Sequence, residues 1–320
     1  MKKIVNLIKV SPVAMIVAGL MVAGVASAAL LTVYVTMNGT ADVEQSVVFG
    51  NGDVEKDYII GNSPAIAGNT YTENYNLKNK SVTTAPVKFV TNQCKVGGGH
   101  CNDESNNEEG VETSYWSTVE LSQKDTTTWQ VITGGGEGTL NYELVSNTFN
   151  YEFDATGLDA NTEYSLVYYA DKQDRFENWG GDAPGALIAE FTTDSDGVIA
   201  FTEGSKNLKM DLPHTDDWNG SADANYCGNN NGFDSYDLCR GAKIWLVHSS
   251  DYDAIAKTVS WDNFGDYLYE TDLIAYDDAN AGGEALWLGE GMLNFWVKNV
   301  LNIALEPGDY KVTTKVVPVI

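Results

Sequence analysis

The sequence predicts an all-β chain: two packed-sheet domains preceded by an N-terminal signal helix. Three observations carry this. Apolar residues recur at every second position in run after run, the period of a strand with one buried face. Clusters of Gly, Asn, Asp and Pro separate those runs at short intervals, as they do in sandwiches. Past residue 28, little of the sequence suggests a long helix.

The chain begins with Lys2, Lys3 and Lys9, continues as an apolar run from Val13 to Val25 and reaches the small-residue tripeptide Ala26-Ser27-Ala28. A basic start, an apolar centre and a small-residue site make residues 1–28 a secretory signal peptide, cleaved after Ala28. The alternative is a retained membrane anchor over residues 12–31, since about 17 to 25 apolar residues span a bilayer. Leu31, Val33, Val35 and Met37 then share one face, with Thr32, Tyr34, Thr36 and Asn38 on the other. Cleavage leaves that half-buried strand at the new terminus.

Tyr71, Glu73, Tyr75 and Leu77 alternate with Thr72, Asn74, Asn76 and Lys78, and the pattern resumes at Val87-Lys88-Phe89. Pro86 has no N–H for a ladder and belongs at a strand start or edge. Residues 97–112 are polar and rich in Gly, Asn and Glu, hence a loop or a domain junction. A second strand-rich block covers 113–278. Its runs are Tyr142–Phe153, Glu163–Ala170, Ala186–Thr193, Val198–Thr202, Lys243–Ser249 and Tyr267–Tyr276. Asp194-Ser195-Asp196-Gly197 is a hairpin-turn signal, because Gly tolerates the positive φ such turns require. Tyr164–Tyr169 and Ile244–Val247 carry apolar groups on both faces, as central strands of a sandwich do. After the polar stretch Asp277–Gly283 the chain turns apolar at Leu286. It passes through Met292–Val297 to the turn Glu306-Pro307-Gly308-Asp309. A last strand places Tyr310, Val312, Thr314 and Val316 on one face.

Composition excludes some partners. Lys+Arg 19 against Asp+Glu 45 gives a net charge of -26, a surface that repels phosphate backbones, so no nucleic-acid partner is expected. Such a surface suits an extracellular or high-salt setting, or one that recruits cations. The cysteines fit an oxidising compartment: Cys94 and Cys101 enclose one short loop, Cys227 and Cys239 another. Local pairing is the simplest of the three connectivities. A zinc site of Cys94, His100 and Cys101 is the rival, and the absence of any CxxC pair argues against it.

No enzyme is predicted. His100, His214 and His248 lie in separate stretches without an HExxH, and no GxSxG, P-loop or GxGxxG context occurs. His248 reads as a structural, hydrogen-bonded strand residue, and Gly134–Gly138 as a turn. No cofactor is expected. Calcium is the one ion the chain suggests, because Asp216, Asp217, Asp223, Asn225, Asn229, Asn230, Asn231, Asp234 and Asp237 crowd one loop. A solvated loop is the alternative. Trp179, Trp218, Tyr226, Phe233 and Tyr236 lie in and near that loop, a chemistry suited to carbohydrate or another surface component. They support a rival reading as a monomeric surface-binding module. Asn38, Asn79 and Asn219 fit the N-glycosylation acceptor pattern.

The ends of the chain resemble the TasA/camelysin-like family of biofilm-matrix fibre proteins and archaeal bundling pili. The resemblance lies in the signal followed at once by a strand, in Ile66–Asn79 with Pro86–Val90 after it, and in the ending Leu305–Val317. It implies a jelly-roll-like sandwich over residues 50–112 and 279–320; residues 113–278 fall outside the resemblance and read as an inserted second β-sandwich domain. It also implies a secreted, cell-surface filament subunit assembled by donor-strand exchange, its partners being copies of itself. The donor segment is then 29–49, with Leu31, Val33, Val35 and Met37 entering the acceptor. Other surface proteins or glycans are further partners, and the membrane is touched only through the uncleaved signal. Camelysin-type relatives are classed as metallopeptidases, yet this chain has no metal motif to match.

Overall fold

Alternating sequences need partners on both edges and cover on one face, and the chain supplies them almost wholly through antiparallel pairing. The structure is a computed structural model. It describes residues 45–80, 85–97, 111–125, 127–128, 130–170, 187–208, 212, 242–255, 258–260, 268–269, 274–279, 285–289, 291–302, 304, 306 and 308–319. The signal peptide and the strand Leu31–Met37 lie outside them.

The strands are β1 (Val47–Phe49), β2 (Glu55–Ala65), β3 (Thr70–Asn79), β4 (Ala85–Lys95), β5 (Val111–Gln123), β6 (Glu137–Glu143), β7 (Val145–Ser146), β8 (Phe149–Thr156), β9 (Glu163–Ala170) and β10 (Leu187–Thr192). They continue with β11 (Ile199–Lys206), β12 (Ala242–His248), β13 (Tyr252–Asp253), β14 (Thr258–Val259), β15 (Leu268–Tyr269), β16 (Asp277–Asp278), β17 (Leu286–Leu288), β18 (Gly291–Leu301) and β19 (Gly308–Pro318). Among the described residues the one helical element is the 3-10 turn Ser249–Asp251. The described residues are therefore all-β, with β-sandwich character.

A four-stranded sheet runs β17-β4-β19-β2. Opposite it lies β1-β3-β18-β5, and Phe295 of β18 ties the two together. Its ring packs 5.3 Å from Phe89 of β4, 5.8 Å from Tyr75 and 6.4 Å from Phe49. Tyr310, Val312, Thr314 and Val316 of β19 are all buried, as their alternation predicts. Pro86 pairs with Trp287 at the start of β4, where its missing N–H is harmless.

Strand β5 continues past this sandwich. Its first half pairs with β18, its second half with β6, and Leu268 and Tyr269 of β15 meet its last residues. From it spread β6-β8-β11 on one side and β15-β12-β9-β10 on the other. Strands β9 and β12 pair along Ala170–Tyr164, and Tyr164, Leu166, Val167, Tyr168, Ile244, Trp245, Leu246 and Val247 are all buried. Both are central strands, apolar on both faces.

Two sequence expectations are corrected. Tyr142–Phe153 is not one strand, because β6 and β8 pair Tyr142 with Tyr151 across a reversal. The parity of the buried residues flips there, from Tyr142 and Leu144 to Phe149, Tyr151 and Phe153. The Asp194–Gly197 turn does form, with Gly197 at φ 74 and Asp194 Oδ1 accepting from the N–H groups of Asp196 and Val198. It does not close a hairpin. Strand β10 pairs with β9 and β11 pairs with β8, so the turn joins two ladders at a corner.

Candidate functional site

Strand β3 has one covered edge and one partly bare edge. On the β18 side it is paired from Thr70 to Asn79. On the other side, β1 covers only Leu77, Lys78 and Asn79. The bonds from Lys80 N–H to Ser46 C=O and from Gly50 N–H to Asn76 C=O set the phase. Even-numbered residues direct their backbone groups to that edge, so Thr72 and Asn74 present N–H and C=O where no described strand lies. After Phe49 the chain turns, with Gly52 N–H bonded to Phe49 C=O, and passes to β2 in the other sheet.

The side chains show the same gap. Tyr71, Glu73 and Tyr75 point inward, since they stand opposite the buried Asn299, Val297 and Phe295 of β18. Those three are at most 3 % exposed, whereas Tyr71 and Tyr75 are half-buried and Glu73 is exposed. Tyr58 of β2 completes the group. Burial pushes its phenol above the ordinary range, and the charge of Glu73 adds to this. Tyr75 is raised in the same way, by burial first and Glu73 second. The opening between β2 and β3 is thus lined by three tyrosines around one carboxylate, with Ile66, 60 % exposed, at its far end. An inward charge at an edge is a device against indiscriminate pairing.

No described strand pairs with the outer edge of β4 beyond Val87, where β17 stops. It lacks such a gap. Tyr115 of β5 stacks on Phe89 at 4.1 Å, and Gln93 Nε2 donates to Thr113 Oγ1 at 2.6 Å, so β5 covers its inner face.

The sequence-predicted residues fall as follows. Leu31, Val33, Val35, Met37, Asn38, Cys101, Cys227, Cys239 and Asn219 lie outside the described residues. So do the acidic loop 216–237, Trp179, His100 and His214. Val47, Val48 and Phe49, the end of the candidate donor segment, pair with the chain's own β3 and are buried. Any exchange therefore uses the residues upstream. Cys94 is disulfide-bonded, which removes it from a zinc site. Asn79 is 3 % exposed and its Nδ2 donates to Leu288 C=O, so the folded chain does not present this glycan acceptor. His248 ends β12 with Nε2 3.1 Å from Tyr164 Oη and 3.3 Å from Asp159 Oδ2. Of Gly134–Gly138, read from the sequence as a turn, residues 134–136 lie between β5 and β6, with Gly135 N–H bonded to Ile132 C=O, whereas Glu137 and Gly138 open β6 and pair with Ser122 and Leu121.

Sequence reasoning named a candidate donor and did not find the uncovered edge of β3. The polar partners of Tyr71 to Leu77 were legible, but a bare edge is a property of pairing, which only the register reveals. No family model matches the chain, and no curated protein matches it either.

Proposed function

We propose that this chain is a secreted structural subunit of an extracellular filament, pilus or biofilm matrix, assembled by donor-strand exchange. The signal peptide 1–28 directs export, and cleavage after Ala28 frees the strand Leu31–Met37. That strand adds to β3 of the next copy. The sandwich of residues 50–112 and 279–320 is the jelly-roll-like frame, with 113–278 displayed as an inserted domain. The proposed role is structural and calls on no cofactor.

The observation that carries the reading is the run Thr70–Tyr75, which no described strand covers on this edge, with its half-buried tyrosines. The alternating run Leu31–Met37 is long enough to span it. Strand addition satisfies the backbone groups of Thr72 and Asn74, and alternate apolar side chains cover Tyr71 and Tyr75. Polarity favours a second copy as the source. Strand β1 enters beside Asn79 and leaves beside Leu77, so its own upstream chain starts from the end of β3 remote from the gap. Head-to-tail addition of this kind does not close and propagates as a fibre.

Electron microscopy of the mature chain and of a variant lacking residues 29–38 tests this. Fibres from the first and folded monomers from the second are expected. A truncated chain that still forms fibres overturns the proposal.

A further inference from the structure

The outward face of β3, β18, β5, β6 and β8 is mostly polar, with Met292, Trp296 and Trp116 as apolar exceptions, and its two halves behave differently. Over β5, β6 and β8 the side chains satisfy one another. Thr118 Oγ1 donates to Asn141 Oδ1 at 2.8 Å, Asn141 Nδ2 to Glu152 Oε2 at 3.1 Å, and Asn150 Nδ2 to Glu143 Oε2 at 2.6 Å. Trp116 is closed off too. Its indole N–H donates to Ser114 Oγ, and Lys298 lies 5.0 Å over its ring on the way to Glu152.

Over β3 and β18 the opposite holds. The side chains of Asn74, Asn76 and Asn294 and the indole N–H of Trp296 make no hydrogen bond to the described residues. Register places Asn76 beside Asn294 and Asn74 beside Trp296. With Thr118, Tyr75 and Phe295 they line a hollow of about 360 Å³. That is the lower part of the range for small-ligand sites, about 300–1,000 Å³. The ring of Trp296 is held by Trp116 at 6.3 Å and an interplanar angle of 23°. Asn76 is set by Gly50: a Cβ there would stand 1.7 Å from Asn76 Oδ1.

We propose that this hollow binds a neutral glycan, independently of strand addition. Three amides and an indole N–H offer donors and acceptors suited to sugar hydroxyls, and the Trp296 ring offers a face for the apolar side of a pyranose. The charge of the lining selects the class. No lining residue is charged, in a chain of net charge -26, so a neutral ligand meets no charge repulsion on entry, whereas a polyanion meets a repelling surface.

The test is titration calorimetry of the mature chain with cellohexaose, maltohexaose and chitohexaose, and with polygalacturonate as the anionic probe. At least one neutral hexasaccharide binds, and polygalacturonate does not. The double variant Asn74→Ala, Asn294→Ala weakens that binding by about tenfold or more through lost hydrogen bonds. Gly50→Ala weakens it by displacing Asn76. Asn74 and Asn294 are exposed, so circular dichroism and melting temperature of the double variant stay unchanged. The proposal is overturned if no neutral probe binds at millimolar concentration, if the double variant binds as well as the parent, or if polygalacturonate is preferred. Fibre formation plays no part in the readout, so its failure and that of the filament reading are separable.

Discussion

A proline scan along β3 separates the two edges of one strand. Thr72 turns its N–H to the bare edge, whereas Glu73 turns its own toward Val297 of β18. Thr72→Pro therefore removes no described ladder bond. Proline at a compatible edge position shifts monomer stability by only about 1 kcal/mol. Glu73→Pro strips the donor from a carbonyl on the buried side of the sheet, which costs about 1–3 kcal/mol before any clash of the ring. In the proposed assembly the order of importance reverses. Thr72→Pro deletes a junction bond worth about 0.5–1.5 kcal/mol and sets ring carbons where the incoming strand must approach. Each 1.4 kcal/mol or so raises the critical concentration about tenfold, so a shift of tenfold or more is expected. Urea denaturation of the monomer and sedimentation of the assembled fraction measure the two quantities. A Thr72→Pro chain that assembles at the parent concentration refutes the assignment of the β3 edge.

Other outcomes follow from the core and its charges. Phe295→Ala, at the meeting point of both sheets, is expected to cost about 3–5 kcal/mol by denaturant titration. Tyr142 is wholly buried and its hydroxyl accepts from Ala275 N–H, so Tyr142→Phe leaves that donor bare at about 1–3 kcal/mol. Burial, partly opposed by that bond and by Ser117, pushes the Tyr142 phenol up to about 12. The neutral form is then the stabilising one, fully present below the unfolded value near 10 and lost as pH rises toward 12. Stability of Tyr142→Phe falls less steeply than the parent across that window. For Asp57, burial raises the carboxyl, but the bonds from Lys311 and Thr313 outweigh it and the net value is lowered. Its contribution is present above the ordinary 3.8 and lost as pH falls through the lower folded value. Because Asp57 is half exposed, Asp57→Asn is expected to cost less than about 1 kcal/mol at neutral pH and nothing at strongly acid pH.

Legibility tracked how local each signal was. Strands β9, β12 and β19 were readable because their side chains meet a uniform environment on each face, and β3 because its alternation persists although its inward face is only partly covered. The break between β6 and β8 was also written locally, in the flip of parity around Asn147, and was overlooked in favour of one long run. The corner at Asp194–Gly197 was different: the turn residues specify the bend but not which strands lie on either side. The same limit explains the candidate sites. Trp116 and Trp296 are far apart in the chain, and only the register of β5 on β18 stacks them. Asn74 looked like any polar strand residue until its neighbours on β18 were known to leave it unpaired.

The alternation of β3 also explains how one strand serves two proposed contacts without conflict. At even-numbered positions the backbone groups lie in the sheet plane, toward the bare edge, while the side chains stand out of it. Thr72 and Asn74 thus offer N–H and C=O to an added strand, and Asn74 offers its amide to the hollow. Odd positions turn their side chains inward and line the gap with Tyr71, Glu73 and Tyr75, of which Tyr75 also borders the hollow. Backbone and side-chain chemistry at a single residue are therefore orthogonal. Asn74→Ala removes an amide but keeps the edge donor, whereas Thr72→Pro removes an edge donor and leaves the hollow intact. A strand added at this edge extends the outward face beside Asn74 without covering it, since neighbouring strands lie about 4.8 Å apart in the plane of the sheet. Copies joined in this way would carry the hollow at every junction, and a weak glycan contact repeated along a fibre gains in avidity without any new contact.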